Sequence, residues 1–347
     1  MDASSPSAHP STQYTALADA SHAAFSLPVA GTLPKAPAAV TAAWCLTVLA
    51  DDIEAVQLRR LAEFVEANEW RPVALDILAA REDCRVLRIQ LEGDIAFAAA
   101  RLALLELAQT LGLELVLQAG STQCAPKLAC FDMDSTLIQA EVIDELAKIA
   151  GVGDQVAEIT LSAMRGELDF QQSFRKRMGL LKGFTEASLA EIAPRIPIMP
   201  GAQRLLLALR ALGCKTAILS GGFTYFANYL KDNHLAVDFV HANQLAFADG
   251  ALTGEVIDPI VDGARKALLL QEIAQQLDLS LDQVIAVGDG ANDLPMLSLG
   301  ALGIAFHAKP KVRAEAPQAI DGFGLDAALY LFGLNDRQIA DLVGEAA

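Results

Sequence analysis

The chain has 347 residues, of which 53% are hydrophobic, and its 26 basic and 43 acidic residues give a formal net charge of −17. This length suggests two domains with large buried cores, which excludes a wholly disordered chain. The acidity argues against nonspecific binding to nucleic acid, because such binding needs clustered Lys and Arg. Five widely spaced cysteines without a Cys-x-x-Cys pair predict neither a disulfide framework nor a zinc site.

We expect the amino-terminal region to be a tail and not a secretory signal. Residues 1–35 are rich in Ser, Ala and Pro, which predicts a flexible tail. Residues 1–24 lack the basic start and the continuous apolar run of a secretory signal. The uncharged apolar stretch at residues 38–50 is too short to span a membrane. We therefore expect a cytoplasmic protein with neither a membrane nor a nucleic acid as partner.

Residues 41–119 contain apolar runs typical of strands and apolar residues at the spacing typical of helices. The pattern predicts strands near residues 43–49, 73–77, 86–89 and 113–117, and helices near residues 56–65 and 95–111. The resulting order, βαββαβ, is typical of a ferredoxin-like α+β domain. A linker at residues 119–126 follows it.

The rest of the chain predicts an α/β fold. Short, nearly all-apolar strands at residues 128–131, 215–219 and 284–287 are each followed by a polar or Gly-rich turn and a helical pattern, which is typical of a parallel sheet. Residues 139–194 are helical and too long for an ordinary crossover, so they predict an inserted cap. Asp249-Gly250, within a smaller insertion at residues 241–257, predicts a hairpin turn.

Two carboxylates follow the first of these strands. Asp132 and Asp134 are separated by one residue, so an extended backbone directs both side chains into one pocket. Alternatively, the Asp and Ser residues at 132–135 cap the helix that follows, as is common where a strand turns into a helix. These residues alone leave both interpretations open.

A third carboxylate favours a metal site. Asp289 ends another apolar strand, in a loop where Gly288 and Gly290 allow close backbone approach. Three convergent carboxylates repel one another, and a hard divalent cation bound by oxygen ligands, Mg²⁺, offsets that repulsion. The alternative for residues 288–293, a tight turn before a helix, does not explain why the turn falls at the same sheet edge as the other two carboxylates.

Candidate phosphate-binding groups follow from the same pattern. Ser220, Gly221 and Gly222 come after the intermediate strand, where a hydroxyl and backbone N–H groups could cradle an anion at the start of a helix. Lys266, on a helical stretch before the third strand, could neutralise phosphoryl oxygens. Neighbouring Arg265 is an alternative for that role, and a lone Lys is usually a solvated surface residue.

These residues resemble, in order and spacing, the four motifs of the haloacid dehalogenase superfamily. The motifs are Asp132–Thr136, Ser220, Lys266 and Gly288–Asp293. The resemblance covers residues 127–333, and within the superfamily it is to the phosphoserine phosphatases. It implies a Rossmann-like parallel sheet, in a catalytic core that we place at residues 127–347 with the cap at residues 139–194.

The resemblance also implies roles for the motif residues in a two-step hydrolysis. Asp132 attacks phosphorus to form an aspartyl-phosphate, and Asp134 protonates the leaving serine oxygen and then activates water. The metal is bound by the carboxylates of Asp132 and Asp289 and by the backbone carbonyl of Asp134. Asp293 supports the metal shell, and Asn292 contacts phosphate or bound water.

The remaining phosphoryl oxygens are held, by the same resemblance, by Lys266, Ser220 and Gly221. Substrate choice lies in the cap, where fold analogy is weakest. Met164 and Phe170 match apolar residues near the substrate pocket.

Two charged cap residues match the groups that recognise an amino acid. Arg177 matches the residue that holds the substrate carboxylate, and Glu141 matches the one that meets the ammonium group. Glu141 falls seven residues after Asp134, roughly two turns further if that segment is helical. Without the family spacing, Glu141 would be an ordinary exposed residue and Arg175–Arg177 an ordinary basic face.

The amino-terminal domain, residues 41–119, resembles an ACT-type module, a kind that pairs and sometimes binds amino acids. Residues 51–54 occupy the first loop, where effector-binding modules usually have a Gly. We therefore expect a dimerisation or scaffold role, with a homodimer formed through this domain.

The resemblance as a whole implies Mg²⁺-dependent hydrolysis of O-phospho-L-serine to L-serine and phosphate, the last step of serine biosynthesis. An alternative enzyme is a phosphatase or phosphotransferase for another small phosphomonoester, such as phosphothreonine or phosphohomoserine. An alternative of another class is a noncatalytic ACT-type amino-acid sensor. The presence of Asp132, Asp134, Lys266 and Asp289 argues against the sensor.

Overall fold

A computed structural model describes residues 42–120 and 125–345. The predicted tail at residues 1–35 and positions 121–124 of the predicted linker lie outside the described residues. The described chain divides into two compact units: residues 42–120 and Leu329–Asp341 form the first, and residues 125–328 and Leu342–Glu345 form the second. Throughout these described ranges, no helix combines the length and apolar character that crossing a membrane requires.

The first unit is a four-stranded antiparallel sheet with two helices. Its elements are β1 (Trp44–Ala50), α1 (Ala55–Ala67), β2 (Arg71–Arg81), β3 (Cys84–Glu92), α2 (Phe97–Leu111) and β4 (Glu114–Ala119). The strand order across the sheet is β2-β3-β1-β4. This confirms the predicted βαββαβ order and the ferredoxin-like fold.

Both faces of this sheet are covered. Leu46 and Val48 pack with residues of the two helices, such as Leu61, in one apolar core. The segment Leu329–Asp341 belongs to the same unit, and the Gln118 side-chain amide donates a hydrogen bond to the Leu331 carbonyl oxygen at 2.9 Å. Burial on both faces explains why β1 is apolar along nearly its whole length instead of alternating.

The second unit contains the elements that form the site. In chain order these are β5 (Leu128–Phe131), α3 (Val142–Ile149), α4 (Gly153–Met164), α5 (Phe170–Leu180), α6 (Glu186–Ile192), α7 (Ala202–Ala211), β6 (Lys215–Phe223), α8 (Thr224–Asn233), β7 (Phe239–Asn243), β8 (Leu245–Ala248) and β9 (Ala251–Val256). They continue with α9 (Gly263–Gln276), β10 (Val284–Gly288), α10 (Leu294–Leu297), β11 (Leu302–Phe306), α11 (Pro310–Glu315) and β12 (Gln318–Ile320). Two further helices, α12 (Ala328–Leu331) and α13 (Asp336–Val343), lie mostly in the segment Leu329–Asp341 of the first unit.

Six of these strands form one sheet in the order β12-β11-β10-β5-β6-β7, and every neighbouring pair is parallel. The predicted α/β fold is confirmed. The three predicted strands lie side by side at its centre, where all residues of β5 and β10 are buried. Burial from both sides accounts for their continuous apolar sequences.

Four helices, α3 to α6, form the predicted cap between β5 and α7. The hairpin of β8 and β9 turns at Asp249 and Gly250, whose φ angles of 51° and 78° are the two positive values that a tight Asp-Gly hairpin turn needs. Two backbone hydrogen bonds join the hairpin to the cap. The Gly183 N–H donates to the Leu252 carbonyl and the Leu252 N–H donates to the Phe184 carbonyl, both at 2.8 Å.

Candidate active site

The candidate site lies at the carboxyl ends of the central parallel strands. Asp132 follows β5 directly and Asp289 follows β10, and these strands pair in register, with Phe131 opposite Val287. The Asp132 N–H donates to the Val287 carbonyl at 2.9 Å, which continues the ladder one residue beyond the strand. Because parallel strands end at one edge, the two carboxylates emerge side by side.

Three carboxylates converge there. Oxygen atoms of Asp132, Asp289 and Asp293 all lie within 4.8 Å of one another, and Asp293 is fully buried. Burial, together with the charges of Asp132 and Asp293, raises the pKa of Asp289 to about 8. A set of hard oxygen donors whose negative charges oppose one another fits a divalent cation, which would stabilise their ionised forms.

Lys266 is the cation that the structure places in this cluster. Its side chain is fully buried, and the Nζ atom lies 2.8 Å from Asp132 Oδ2 and 2.7 Å from Asp293 Oδ1. Burial opposes its charge, but the two carboxylates together raise the pKa of Lys266 above its ordinary value. The alternative residue, Arg265, instead pairs with Glu272 at 3.1 Å, where both side chains are partly exposed.

Asp134 occupies a different environment from the three clustered carboxylates. Burial raises its pKa well above the ordinary value, and the charges of Glu141 and Asp132 add to this effect. A Cβ atom on Gly222 would lie 2.7 Å from Asp134 Oδ2, so this position has no room for a larger residue. Asp134 is therefore a carboxyl group that favours its protonated form.

Ser220, Gly221 and Gly222 lie at the end of β6, which continues to Phe223 before α8 begins. This strand is four residues longer than predicted. The Gly222 N–H donates to Ser220 Oγ at 2.9 Å, and Ser220 is fully buried. A Cβ atom on Gly221 would lie 3.0 Å from the Phe170 ring, so the cap closes over this turn.

A cavity of about 160 Å³ opens above these groups. It is lined by Asp132, Asp134, Glu141, Ile143, Phe170, Phe174, Arg177, Gly221, Gly222, Phe223, Asp289 and Asn292. Ser220, Lys266 and Asp293 lie buried beneath this surface and do not line it. Met164, which we expected near the pocket, is 63% exposed at the end of α4 and is not among the lining residues.

Arg177 and Glu141 form the charged part of the cavity on the cap side. Burial lowers the pKa of Arg177, and its Nε atom has no hydrogen-bond partner among residues 42–120 and 125–345. Glu141 accepts a hydrogen bond from Ser135 Oγ at 2.8 Å, and desolvation raises its pKa. The segment between Asp134 and Glu141 is a turn and not two turns of helix, and Glu141 immediately precedes α3.

The sequence interpretation missed three apolar residues that line the cavity. Phe174 stacks on Phe170 with ring centroids 6.1 Å apart, and it also contacts Phe223 at 5.9 Å. The spacing of four residues between the first two rings is a helical signal that could have indicated Phe174. No such signal points to Ile143. Phe223 lies in β6, beyond residue 219, where the sequence pattern predicts that the strand ends.

Family, sequence and structure comparisons with known proteins all indicate the same family. Residues 126–299 match the haloacid dehalogenase-like hydrolases. The curated phosphoserine phosphatase of Vibrio cholerae is 50% identical over 206 residues, which are 59% of this chain and 62% of the relative. That of Haemophilus influenzae is 50% identical over 210 residues, 60% of this chain and 67% of the relative.

A solved structure covers more of the chain. The crystal structure of a haloacid dehalogenase family hydrolase from Salmonella enterica matches with a TM-score of 0.75 at 32% identity, over 83% of this chain and 98% of that one. The chain spans less than two thirds of the V. cholerae relative's length, however, and 67% of the H. influenzae relative's. The family match at residues 126–299 falls within the second unit, where the candidate site lies.

Proposed function

The chain belongs to the haloacid dehalogenase-like hydrolases, and on this basis we propose that it hydrolyses O-phospho-L-serine to L-serine and phosphate, the reaction of a phosphoserine phosphatase. The observation that carries the proposal is the pairing of two environments in one cavity. A carboxylate cluster above the buried Lys266 lines it, and so do Glu141 and Arg177, whose Nε has no partner within the described part of the chain. A substrate with a phosphoryl group and a zwitterionic amino-acid group fits both.

We propose Asp132 as the nucleophile. The Met133 N–H donates to its Oδ1 at 2.7 Å, and Lys266 Nζ lies 2.8 Å from its Oδ2, so the carboxylate is oriented from both oxygens. Attack forms a bond between an Asp132 oxygen and phosphorus as the bond from phosphorus to the serine oxygen breaks. The resulting aspartyl-phosphate is then hydrolysed by water.

Asp134 is the proposed general acid and base. Its raised pKa keeps a proton available, which it donates to the leaving serine oxygen. The ionised carboxylate then takes a proton from the water that attacks the aspartyl-phosphate. The same residue thus serves both steps, and it ends the cycle in its starting protonated form.

The proposed metal is Mg²⁺, held by Asp132 and Asp289 with support from Asp293. Oxygen donors without His or Cys are the set that this hard cation prefers. When bound, the ion supplies positive charge that offsets the repulsion between a carboxylate nucleophile and a phosphate dianion.

We propose that the phosphoryl oxygens are bound by Lys266, Ser220, Gly221 and Asn292. Gly221 and Asn292 line the cavity directly, and Lys266 and Ser220 lie just beneath it. Charge spread over the phosphoryl oxygens in the transition state is stabilised by such fixed donors.

Arg177 and Glu141 are the proposed ligands of the substrate carboxylate and ammonium groups. A partly buried guanidinium whose Nε–H has no partner among the described residues favours an anion such as a carboxylate. Phe170 packs beside Gly221 and closes the apolar wall between the two ends of the substrate. The contact between Met164 and the substrate is a proposal that rests on the resemblance alone, because Met164 is exposed and does not line the cavity.

A kinetic comparison tests this proposal. The wild-type enzyme is assayed on O-phospho-L-serine, O-phospho-L-threonine, O-phospho-L-homoserine and p-nitrophenyl phosphate, and we expect the highest kcat/KM on O-phospho-L-serine. Arg177→Gln should reduce kcat/KM on the amino-acid esters far more than on p-nitrophenyl phosphate, because the latter has no carboxylate. Lys176→Gln, on the same helix but exposed, is the matched control. Equal losses on all four esters in Arg177→Gln would contradict the assignment.

The remaining assignments are proposals that rest on the sequence alone. They are the domain limits at residues 41–119 and 127–347, the ACT-type character of the first unit, a homodimer formed through it, a cytoplasmic location and a place at the end of serine biosynthesis. The ferredoxin-like sheet of the first unit is compatible with an ACT-type module.

A further inference from the structure

One face of α5 is joined to the segment that leads into α9. Gln171 Nε2 donates to Asp262 Oδ2 at 2.7 Å, and Arg175 Nη2 donates to Asp258 Oδ1 at 2.5 Å. The two cap residues are one helical turn apart, so both project from the same face of α5. The two carboxylates belong to the stretch between the hairpin and α9.

The Asp262 carboxylate makes a second bond at the start of α9. Its Oδ1 atom accepts a hydrogen bond from the Arg265 N–H at 2.9 Å, and its backbone carbonyl accepts from the Lys266 N–H at 2.8 Å. Asp262 is thus the N-cap residue of the helix that carries Lys266. Each of its two carboxylate oxygens binds a different helix.

The two helices that meet at Asp262 serve opposite ends of the proposed substrate. Helix α9 places Lys266 under the phosphoryl site, and α5 places Arg177 at the amino-acid site. Gln171 is also the immediate neighbour of Phe170, whose ring packs against Gly221. A shift of α5 at Gln171 would therefore change the distance between the two ends of the cavity.

We propose that Gln171 and Asp262 are positioning residues: the hydrogen bond between them sets the distance between the helix that bears Arg177 and the helix that bears Lys266. This inference rests on the proposed function, and it deepens that function by naming what fixes the substrate length. The bond selects amino-acid phosphomonoesters with a short spacing between carboxylate and phosphoryl group. Neither residue touches the substrate, and both act through the helices that they join.

Two substitutions separate this role from simple helix capping. Gln171→Met removes the donor at nearly constant side-chain length. Asp262→Ser keeps an oxygen that can cap α9, but its side chain is too short to reach Gln171. Asp262→Asn is the conservative rescue, because its amide can still cap α9 with the oxygen and donate to the Gln171 side chain with the nitrogen.

Kinetics should show a specific pattern. Each of Gln171→Met and Asp262→Ser should raise KM for O-phospho-L-serine about two- to fivefold, the range expected for losing one exposed polar contact with a charged partner. The KM of the double variant should be no higher than that of either single variant, because both substitutions remove the same hydrogen bond. The preference for O-phospho-L-serine over O-phospho-L-homoserine should fall, while kcat/KM on p-nitrophenyl phosphate should stay unchanged.

The controls decide the interpretation. Lys176→Met, on the same helix, should leave all these constants unchanged, and Asp262→Asn should restore KM close to that of the wild type. Additive losses in the double variant, or equal losses on p-nitrophenyl phosphate, would overturn the proposal and leave Asp262 as a helix cap alone.

A second measurement does not depend on the identity of the substrate. Hydrogen–deuterium exchange of residues 170–180 in the ligand-free enzyme should be faster in Gln171→Met than in the wild type or in Lys176→Met. If the wild-type enzyme fails to turn over O-phospho-L-serine, the proposed function fails, and the exchange still decides whether this bond fixes α5. Unchanged exchange in Gln171→Met would overturn the inference.

Discussion

Lys266→Met is expected to destabilise the second unit at mildly alkaline pH by about 3–5 kcal/mol, the cost of removing one partner from a buried ion pair. Lys266 Nζ lies 2.8 Å from Asp132 Oδ2 and 2.7 Å from Asp293 Oδ1, and the lysine side chain is fully buried. Met has a similar length and no charge, so the variant leaves buried carboxylates unpaired without opening a large cavity.

The loss of stability in Lys266→Met should depend on pH. Burial and the charge of Asp132 already raise the pKa of Asp293, and removal of the lysine raises it further. A carboxyl whose pKa is raised on folding binds its proton more tightly in the folded state. Relative to the wild type, the deficit is therefore complete above the folded-state pKa of Asp293 in the variant, and it shrinks as the pH falls towards the wild-type value of about 7.

The assay is urea unfolding of the metal-free protein, followed by far-ultraviolet circular dichroism at mildly alkaline pH and at mildly acidic pH. Trp44 and Trp70, the two tryptophans of the chain, both lie in the first unit, so tryptophan fluorescence would not report on the second. Arg265→Met is the matched control, and its pair with Glu272, 30% and 48% exposed, is worth no more than about 1 kcal/mol. Equal losses in Lys266→Met and Arg265→Met, or a Lys266→Met deficit that is independent of pH, would refute the reasoning.

Three further predictions follow from the site and the first unit. Gly222→Ala should abolish most activity with little loss of Tm, because the added methyl group would lie 2.7 Å from Asp134 Oδ2, whereas Gly179→Ala, which has open space, should retain full activity. Arg88→Met should lower the free energy of unfolding by about 3 kcal/mol in tryptophan-monitored urea titrations, because its 2.7 Å pair with Asp76 is nearly buried; a change below about 1 kcal/mol would contradict this. Chelation of divalent metal should abolish phosphate release, and added Mg²⁺ should restore it; activity that survives chelation would contradict the metal assignment.

The sequence predicts the fold well where a local pattern has one structural meaning. The alternation of apolar runs and turns predicts the four strands of the first unit and three of the six parallel strands of the second. Asp249-Gly250 predicts the hairpin because few dipeptides accept two positive φ angles. The strand-end carboxylates Asp132 and Asp289 could be expected to meet because parallel strands end at one edge.

The remaining features depend on tertiary contacts that no local pattern encodes. Leu329–Asp341 follows the catalytic core in the chain, and the sequence assigns it to that core, but the structure groups it with the first unit. Glu141 reaches the cavity through a turn, because Ser135 adopts a positive φ of 55° that no residue-type rule predicts for Ser. The bond between Gln171 and Asp262 joins residues 91 positions apart in the chain.

Direct detection of the phosphorylated enzyme tests the central claim, hydrolysis of O-phospho-L-serine through Asp132. The protein is mixed with radiolabelled O-phospho-L-serine and Mg²⁺, quenched in acid, digested and analysed for label on the peptide that contains residues 128–139. We predict label on the Asp132 carboxylate in the wild type, and neither label nor phosphate release in Asp132→Asn. Phosphate release by Asp132→Asn at the wild-type rate, or label on another residue, would contradict the account.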